Sequence, residues 1–140
     1  MAKIILITGG ARSGKSSYAL ELAESIATKR LFVATCPNVD SEMSERVGRH
    51  QEERRGRGWV TIENETELTT VLSGQAEGFD VVLIDCITLW VNNILCSYEG
   101  KSPPLDDHRI GELCNEWLAT AKSYAGTVIC VTNEVGLGIV

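Results

Sequence analysis

The densest chemistry in the chain lies in the run Gly9-Gly10-Ala11-Arg12-Ser13-Gly14-Lys15-Ser16. A glycine followed, after four residues, by Gly-Lys-Ser is the signature of a loop that wraps phosphate groups. Its glycines let the backbone fold tightly, so that N–H groups converge on phosphate oxygens. The positive end of the following helix points at the same place. Lys15 is placed to reach the β- and γ-phosphates, and the Ser16 hydroxyl to ligate Mg²⁺. The apolar run Ile4-Ile5-Leu6-Ile7 precedes the loop and a segment of helical spacing follows it. An ordinary glycine-rich turn lacks that strand–loop–helix context. The pattern implies binding of a nucleoside triphosphate.

Two further groups could act on such a ligand. Asp85 ends the apolar run Asp80-Val81-Val82-Leu83-Ile84-Asp85. A carboxylate at a strand tip beside a phosphate loop can hold Mg²⁺ directly or through water; helix capping is the competing role. His50 stands among Arg46, Arg49, Arg54 and Arg55, and the stretch from Arg46 to Arg57 has five arginines against two glutamates. Beside Met43 and Val47, a histidine is ordinarily a packing or solvated residue. In a cationic pocket, however, arginines depress the imidazole pKa, and the neutral ring is a competent nucleophile toward phosphorus. The other histidine, His108, follows two aspartates and reads as a surface residue. Asp85, Glu63 and Glu134 all remain open as the general base of a phosphoryl transfer.

The elements that must position these groups can be read in order. Strands are expected at Lys3–Thr8, Leu31–Thr35, Trp59–Glu63, Asp80–Asp85 and Thr127–Thr132. A helix is expected from about Lys15 to Lys29, with Tyr18, Leu22 and Ile26 on one face and alanines beside them. Asp40 or Ser41 can cap a helix carrying Met43, Val47 and His50 on one side. Asn64 and Glu67 have capping-box spacing for a short helix through about Leu72, followed by a loop at Gly74–Gly78. Ile87–Leu95 reads as a buried helix, Tyr98–Asp107 as an irregular lid or subunit contact, and Ile110–Ala121 as a helix with a core stripe. This alternation predicts an α/β fold, a largely parallel sheet with helices on both faces. Ligands of such sheets collect at the carboxyl ends of the strands.

Composition bounds the rest. The chain has 140 residues, 44% hydrophobic and 23% charged, which fits one soluble domain with a real core. No apolar run approaches the roughly 20 residues of a membrane span, and the N-terminus reads as a strand rather than a signal peptide, so a cytoplasmic protein is expected. A net charge of −6 argues against a nucleic-acid partner. The five cysteines show no metal-binding spacing and read as reduced, mostly buried thiols.

Taken together, several segments resemble one family. They are the loop at 9–16, Ala34-Thr35, Asp40 through His50, Trp59 through Glu63, Asp85 through Trp90, and Thr132 through Gly136. The ordered set resembles the bifunctional adenosylcobinamide kinases/adenosylcobinamide-phosphate guanylyltransferases of cobalamin biosynthesis. The resemblance implies a P-loop NTPase fold of RecA-like type, with one domain over residues 1–140 that lacks a C-terminal helix and strand. It further implies ATP and GTP as substrates with Mg²⁺, a corrinoid as the second substrate, and a homotrimer. Nucleotide contacts would fall on Gly9–Ser16, Ala34, Thr35, Cys36, Gln51, Glu52, Glu53, Arg54, Glu63 and Asp85. Catalysis would fall on Lys15 and His50, the latter becoming covalently guanylylated, and Mg²⁺ on Ser16 and Asp85. A nucleophile on its own element must reach the far end of the triphosphate. The helix of His50, between Pro37 and the Gly56/Gly58 pair, is therefore expected to move between the two reactions.

Overall fold

Each apolar run capped by a turn forms a strand, and each helically spaced run forms a crossover. The computed structural model describes residues 3–10, 13–37, 41–102 and 104–133, with the side chains at 41–44, 46, 47 and 50 outside that description. Its strands are β1 (Lys3–Gly9), β2 (Arg30–Ala34), β3 (Trp59–Glu63), β4 (Val81–Asp85) and β5 (Thr127–Asn133). The helices are α1 (Lys15–Ile26), α2 (Ser41–Arg54), α3 (Leu68–Thr70), α4 (Ile87–Ser97) and α5 (Asp107–Ser123). All pairings are parallel, in the order β1-β5-β4-β2-β3. Parallel neighbours need helical crossovers, and the chain supplies them.

Two cores sandwich the sheet, as the alternation predicts. On one face Ala19, Leu20 and Ala23 of α1 pack on Phe32, Leu83 and Ile129. On the other, Leu68, Trp90 and Ala121 cover Val33, Ile84 and Val128. Because strand residues alternate in facing, Val81 and Leu83 point to the α1 side. The same period turns Asp85 to that side.

Several sequence expectations shift. α1 ends at Ile26 rather than Lys29, and its inward face is rotated toward the alanines, with Leu22 packed at the margin of the core. Ala19, Leu20 and Ala23 are buried, whereas Tyr18 is 59% exposed and Ile26 39%. Alanines let the helix lie close on the sheet, which outweighs the greater hydrophobicity of the Tyr18/Ile26 stripe. The capping box is half formed: Asn64 Oδ1 accepts from the N–H groups of Thr66 and Glu67, but the Asn64 N–H goes to Ala34 O. α3 runs on into a π-helical stretch, Val71–Gln75, so Gly74 is helical rather than part of a loop. The α5 stripe is mostly half-buried, with Trp117 tilted against Trp90. His108 lies on the surface beside Glu112. Asp40, Pro103 and Glu134 lie outside the described residues.

The corner between α2 and β3 is clamped to α1. Glu24 accepts from Arg57 Nη2 at 2.6 Å and from Trp59 Nε1 at 2.8 Å. Arg30 lies over the Trp59 ring and donates to the Arg57 carbonyl. Partial burial alone would raise the Glu24 pKa, but the hydrogen bonds from Arg57 and Trp59 outweigh it, and the carboxyl titrates below its usual range.

Candidate functional site

The strand alternation and the loop chemistry meet at the carboxyl edge of the sheet. β1 ends at Gly9, and α1 starts at Lys15. A side chain at Gly9 would press on Ser13, its Cβ only 2.7 Å from Ser13 Oγ. Gly14 has φ +83°, a conformation L-residues rarely adopt. No side chain caps α1 and no acid occupies its first turn, which leaves its positive end to an outside anion. Lys15 Nζ arches over the loop and donates to Gly10 O at 2.9 Å. Ala11 and Arg12 lie outside the described residues.

From the first turn of α1, Ser16 Oγ donates to Asp85 Oδ2 at 2.9 Å in a part-buried setting. These residues come from different elements, and their strands are separated in the sheet by β5. Both are hard oxygen donors, the type Mg²⁺ takes. Among the described residues no group of three or more His, Cys, Asp or Glu could hold a metal by itself. A pair of protein oxygens completed by phosphate and water is the usual Mg²⁺ arrangement, so these residues fit that ion.

The row beside Asp85 is set by register. Ala34 stands opposite both Asp85 and Glu63, so the two acids flank a methyl-sized side chain on the α1 face. Two strand spacings put their Cα atoms about 10 Å apart. Glu63 is exposed. Arg54, at the end of α2, turns inward and is buried. Its guanidinium stacks over Phe32, 3.7 Å from the ring centroid, and Nε donates to Thr61 Oγ1 at 3.3 Å. Burial lowers the Arg54 pKa, and the charges of Asp85 and Glu53 oppose that shift.

Among the described side chains, the remaining arginines go separate ways, and the Arg46 side chain lies outside the description. Arg55 pairs with Glu52 in solvent, Arg57 belongs to the Glu24 clamp, and Arg49 is exposed. Gln51, Glu52 and Glu53 lie on the exposed side of α2. The His50 side chain is outside the described residues, but its backbone is helical. Position 50 lies one turn before Arg54 and shares its face. Since α2 joins two parallel strands it runs against them, so this turn carries position 50 toward their carboxyl ends. Cys36 is half-buried, its thiol beside Pro37 O.

Thr35 is fully buried. Its hydroxyl donates to Cys86 O at 2.8 Å and accepts from Cys86 N at 2.7 Å.

The family described as cobinamide kinase / cobinamide phosphate guanyltransferase matches residues 5–140. The chain belongs to this family. Three relatives extend the match. A bifunctional adenosylcobalamin biosynthesis protein CobU of Escherichia coli K12 is 34% identical, over 98% of this chain and 78% of the relative. The protein of that name in Salmonella typhimurium LT2 is 35% identical over the same shares. The bifunctional protein CobP of Pseudomonas aeruginosa is 37% identical, over 96% of this chain and 73% of its own length. An all-parallel α/β sheet with a phosphate loop at its carboxyl edge is the scaffold this cobinamide kinase / cobinamide phosphate guanyltransferase chain puts its chemistry on.

At that edge sequence reasoning missed Asn93, whereas Thr88 and Asn133 lie in segments that already carried the family resemblance. Asn93 is buried within α4 and donates from Nδ2 to Thr35 O and Glu65 O. Thr88 and Asn133 exchange two hydrogen bonds. The signal for Asn93 was an amide between Trp90 and Ile94 on the helix's buried side, where a buried polar group must find partners.

Proposed function

We propose that this chain carries both activities of its family at the edge formed by the phosphate loop, Asp85 and α2. In the first reaction the aminopropanol hydroxyl of adenosylcobinamide attacks the γ-phosphorus of ATP or GTP. The new P–O bond forms as the nucleoside diphosphate leaves, and the hydroxyl proton passes to a base. Lys15 and the amides at the start of α1 steady the β- and γ-phosphates. Ser16 and Asp85 would hold Mg²⁺, which supplies charge neutralisation on the phosphates when bound.

In the second reaction the neutral His50 imidazole attacks the α-phosphorus of GTP. A P–N bond forms, the bond to the β-phosphate breaks, and pyrophosphate leaves with the electron pair. A phosphate oxygen of cobinamide phosphate then attacks the same phosphorus, breaking the P–N bond and giving adenosylcobinamide-GDP. Buried Arg54 places positive charge one turn from position 50, which disfavours the imidazolium and favours the nucleophile.

The Arg54 and Arg57 anchors hold the C-terminal end of α2, so its movement between reactions pivots there. Nucleotide-bound structures with position 50 at one fixed distance from the α-phosphorus in every state would refute that movement.

The observation that carries the proposal is the Ser16–Asp85 pair beneath the loop, with position 50 on the helix face that Arg54 turns to the sheet. Incubation with α-³²P-GTP and Mg²⁺ should leave label on the denatured protein. That label should be alkali-stable, acid-labile and absent from His50→Ala. Turnover of corrinoid by γ-transfer without any bound label would make the chain a simple kinase.

A further inference from the structure

The strand tip that presents Asp85 is tied in place from behind. Thr35 bonds it three times: its N–H donates to Asp85 O at 3.2 Å, and its hydroxyl both donates to and accepts from the backbone of Cys86. Thr35 is in turn held by Asn93, whose Nδ2 donates to Thr35 O at 2.8 Å and to Glu65 O at 3.1 Å. One buried amide thus links the ends of β2 and β3, and one buried hydroxyl links β2 to β4. Asp85 is the next residue along, and its carboxylate accepts from Ser16.

We infer that Thr35 and Asn93 are positioning residues for the Asp85 carboxylate, acting on metal-dependent nucleotide binding through Asp85 rather than by touching the nucleotide. The hydroxyl spends its proton and one lone pair on the Cys86 backbone, and Thr35 has no exposed surface through which to reach a ligand. A carboxylate that must share a metal with a hydroxyl on another element tolerates little displacement, and partners behind a ligand commonly govern affinity. The Thr35–Cys86 bonds set where β4 ends, and the Asn93 amide sets where Thr35 sits. This inference rests on the nucleotide-binding reading above.

The test separates metal from nucleotide. Binding of a guanosine β,γ-imidotriphosphate is measured without divalent metal. Mn²⁺ binding to the protein–nucleotide complex is then read by electron paramagnetic resonance. Thr35→Val keeps the shape and deletes the hydroxyl; Thr35→Ser restores it. Thr35→Val should weaken Mn²⁺ by about tenfold or more, leave metal-free nucleotide affinity unchanged, and be rescued by Thr35→Ser. Asn93→Leu should weaken Mn²⁺ in the same direction, and it carries the test if Thr35→Val does not fold. Equal loss of metal-free nucleotide binding would mean direct contact and overturn the inference. So would a lowered melting temperature with unchanged Mn²⁺ affinity, which marks a purely structural role. A wild-type protein that binds no nucleotide would overturn the functional reading itself and this inference with it.

Discussion

Glu24→Gln isolates the clamp that fixes the lower end of α2. The carboxylate accepts from Arg57 and Trp59 with one oxygen each. A glutamine can keep one donor, but its NH₂ then faces the other, so one hydrogen bond and the charge are lost. The pair is partly open to water, the Arg57 and Glu24 side chains being 38% and 22% exposed. Screening therefore limits the ion pair to at most about 1 kcal/mol. The lost indole or guanidinium bond adds about 1 kcal/mol. We expect a total near 1.5 kcal/mol, or roughly a 6 °C fall in Tm for a chain of this size.

The same clamp gives a pH signature. The folded Glu24 carboxyl titrates below the ordinary glutamate range. Its contribution is therefore complete above the unfolded pKa and is lost as pH falls through the folded one. Urea unfolding of wild type and Glu24→Gln from pH 7 to pH 3 should show a gap that narrows below about pH 4.5. A double-mutant cycle with Arg57→Met should return a coupling of about 0.5–1 kcal/mol at pH 7. A gap independent of pH, or a coupling near zero, would refute the reasoning.

Other expectations are simpler. Gly126→Ala places a Cβ against the Asp80 backbone carbonyl, which already accepts from Thr127 N. Neither neighbour can rotate away, so the variant should lose about 3 kcal/mol in urea unfolding. Burial raises the pKa of Cys86, and that of Cys130 to about 12. At pH 8 a thiol reagent should therefore modify exposed Cys96 first and reach Cys86 and Cys130 only after unfolding. Rapid labelling of Cys130 in the folded protein would contradict its placement.

Much of this arrangement was legible before any coordinates. The phosphate loop announces itself through residue types that only one backbone shape uses, and an acid ending an apolar strand can be aligned with it. Other features were hidden because sequence periodicity weighs hydrophobicity and not fit. Tyr18 and Ile26 are bulkier and more apolar than the alanines beside them, yet close approach to a sheet favours the small residues and leaves those two exposed. Arg54 reads as one charge among several, and nothing in its spacing says that it stacks on Phe32 while Arg55 stays in water. Thr35 lies at a strand end, where ligands gather, but a hydroxyl can face inward or outward and the sequence does not say which. Strand order is equally silent, since it depends on which edges meet after the crossovers form.

That order has a consequence for how the protein is made. β5 lies between β1 and β4, so the strand that leads into the helix of Ser16 is joined to the strand of Asp85 only once residues 127–133 slot between them. The loop is among the first segments synthesised, yet the pair beneath it depends on the last strand described. On the ribosome, nucleotide can have little grip on the growing chain until that strand has emerged. Ligand protection of nascent chains should therefore switch on abruptly with length, long after the loop itself is free.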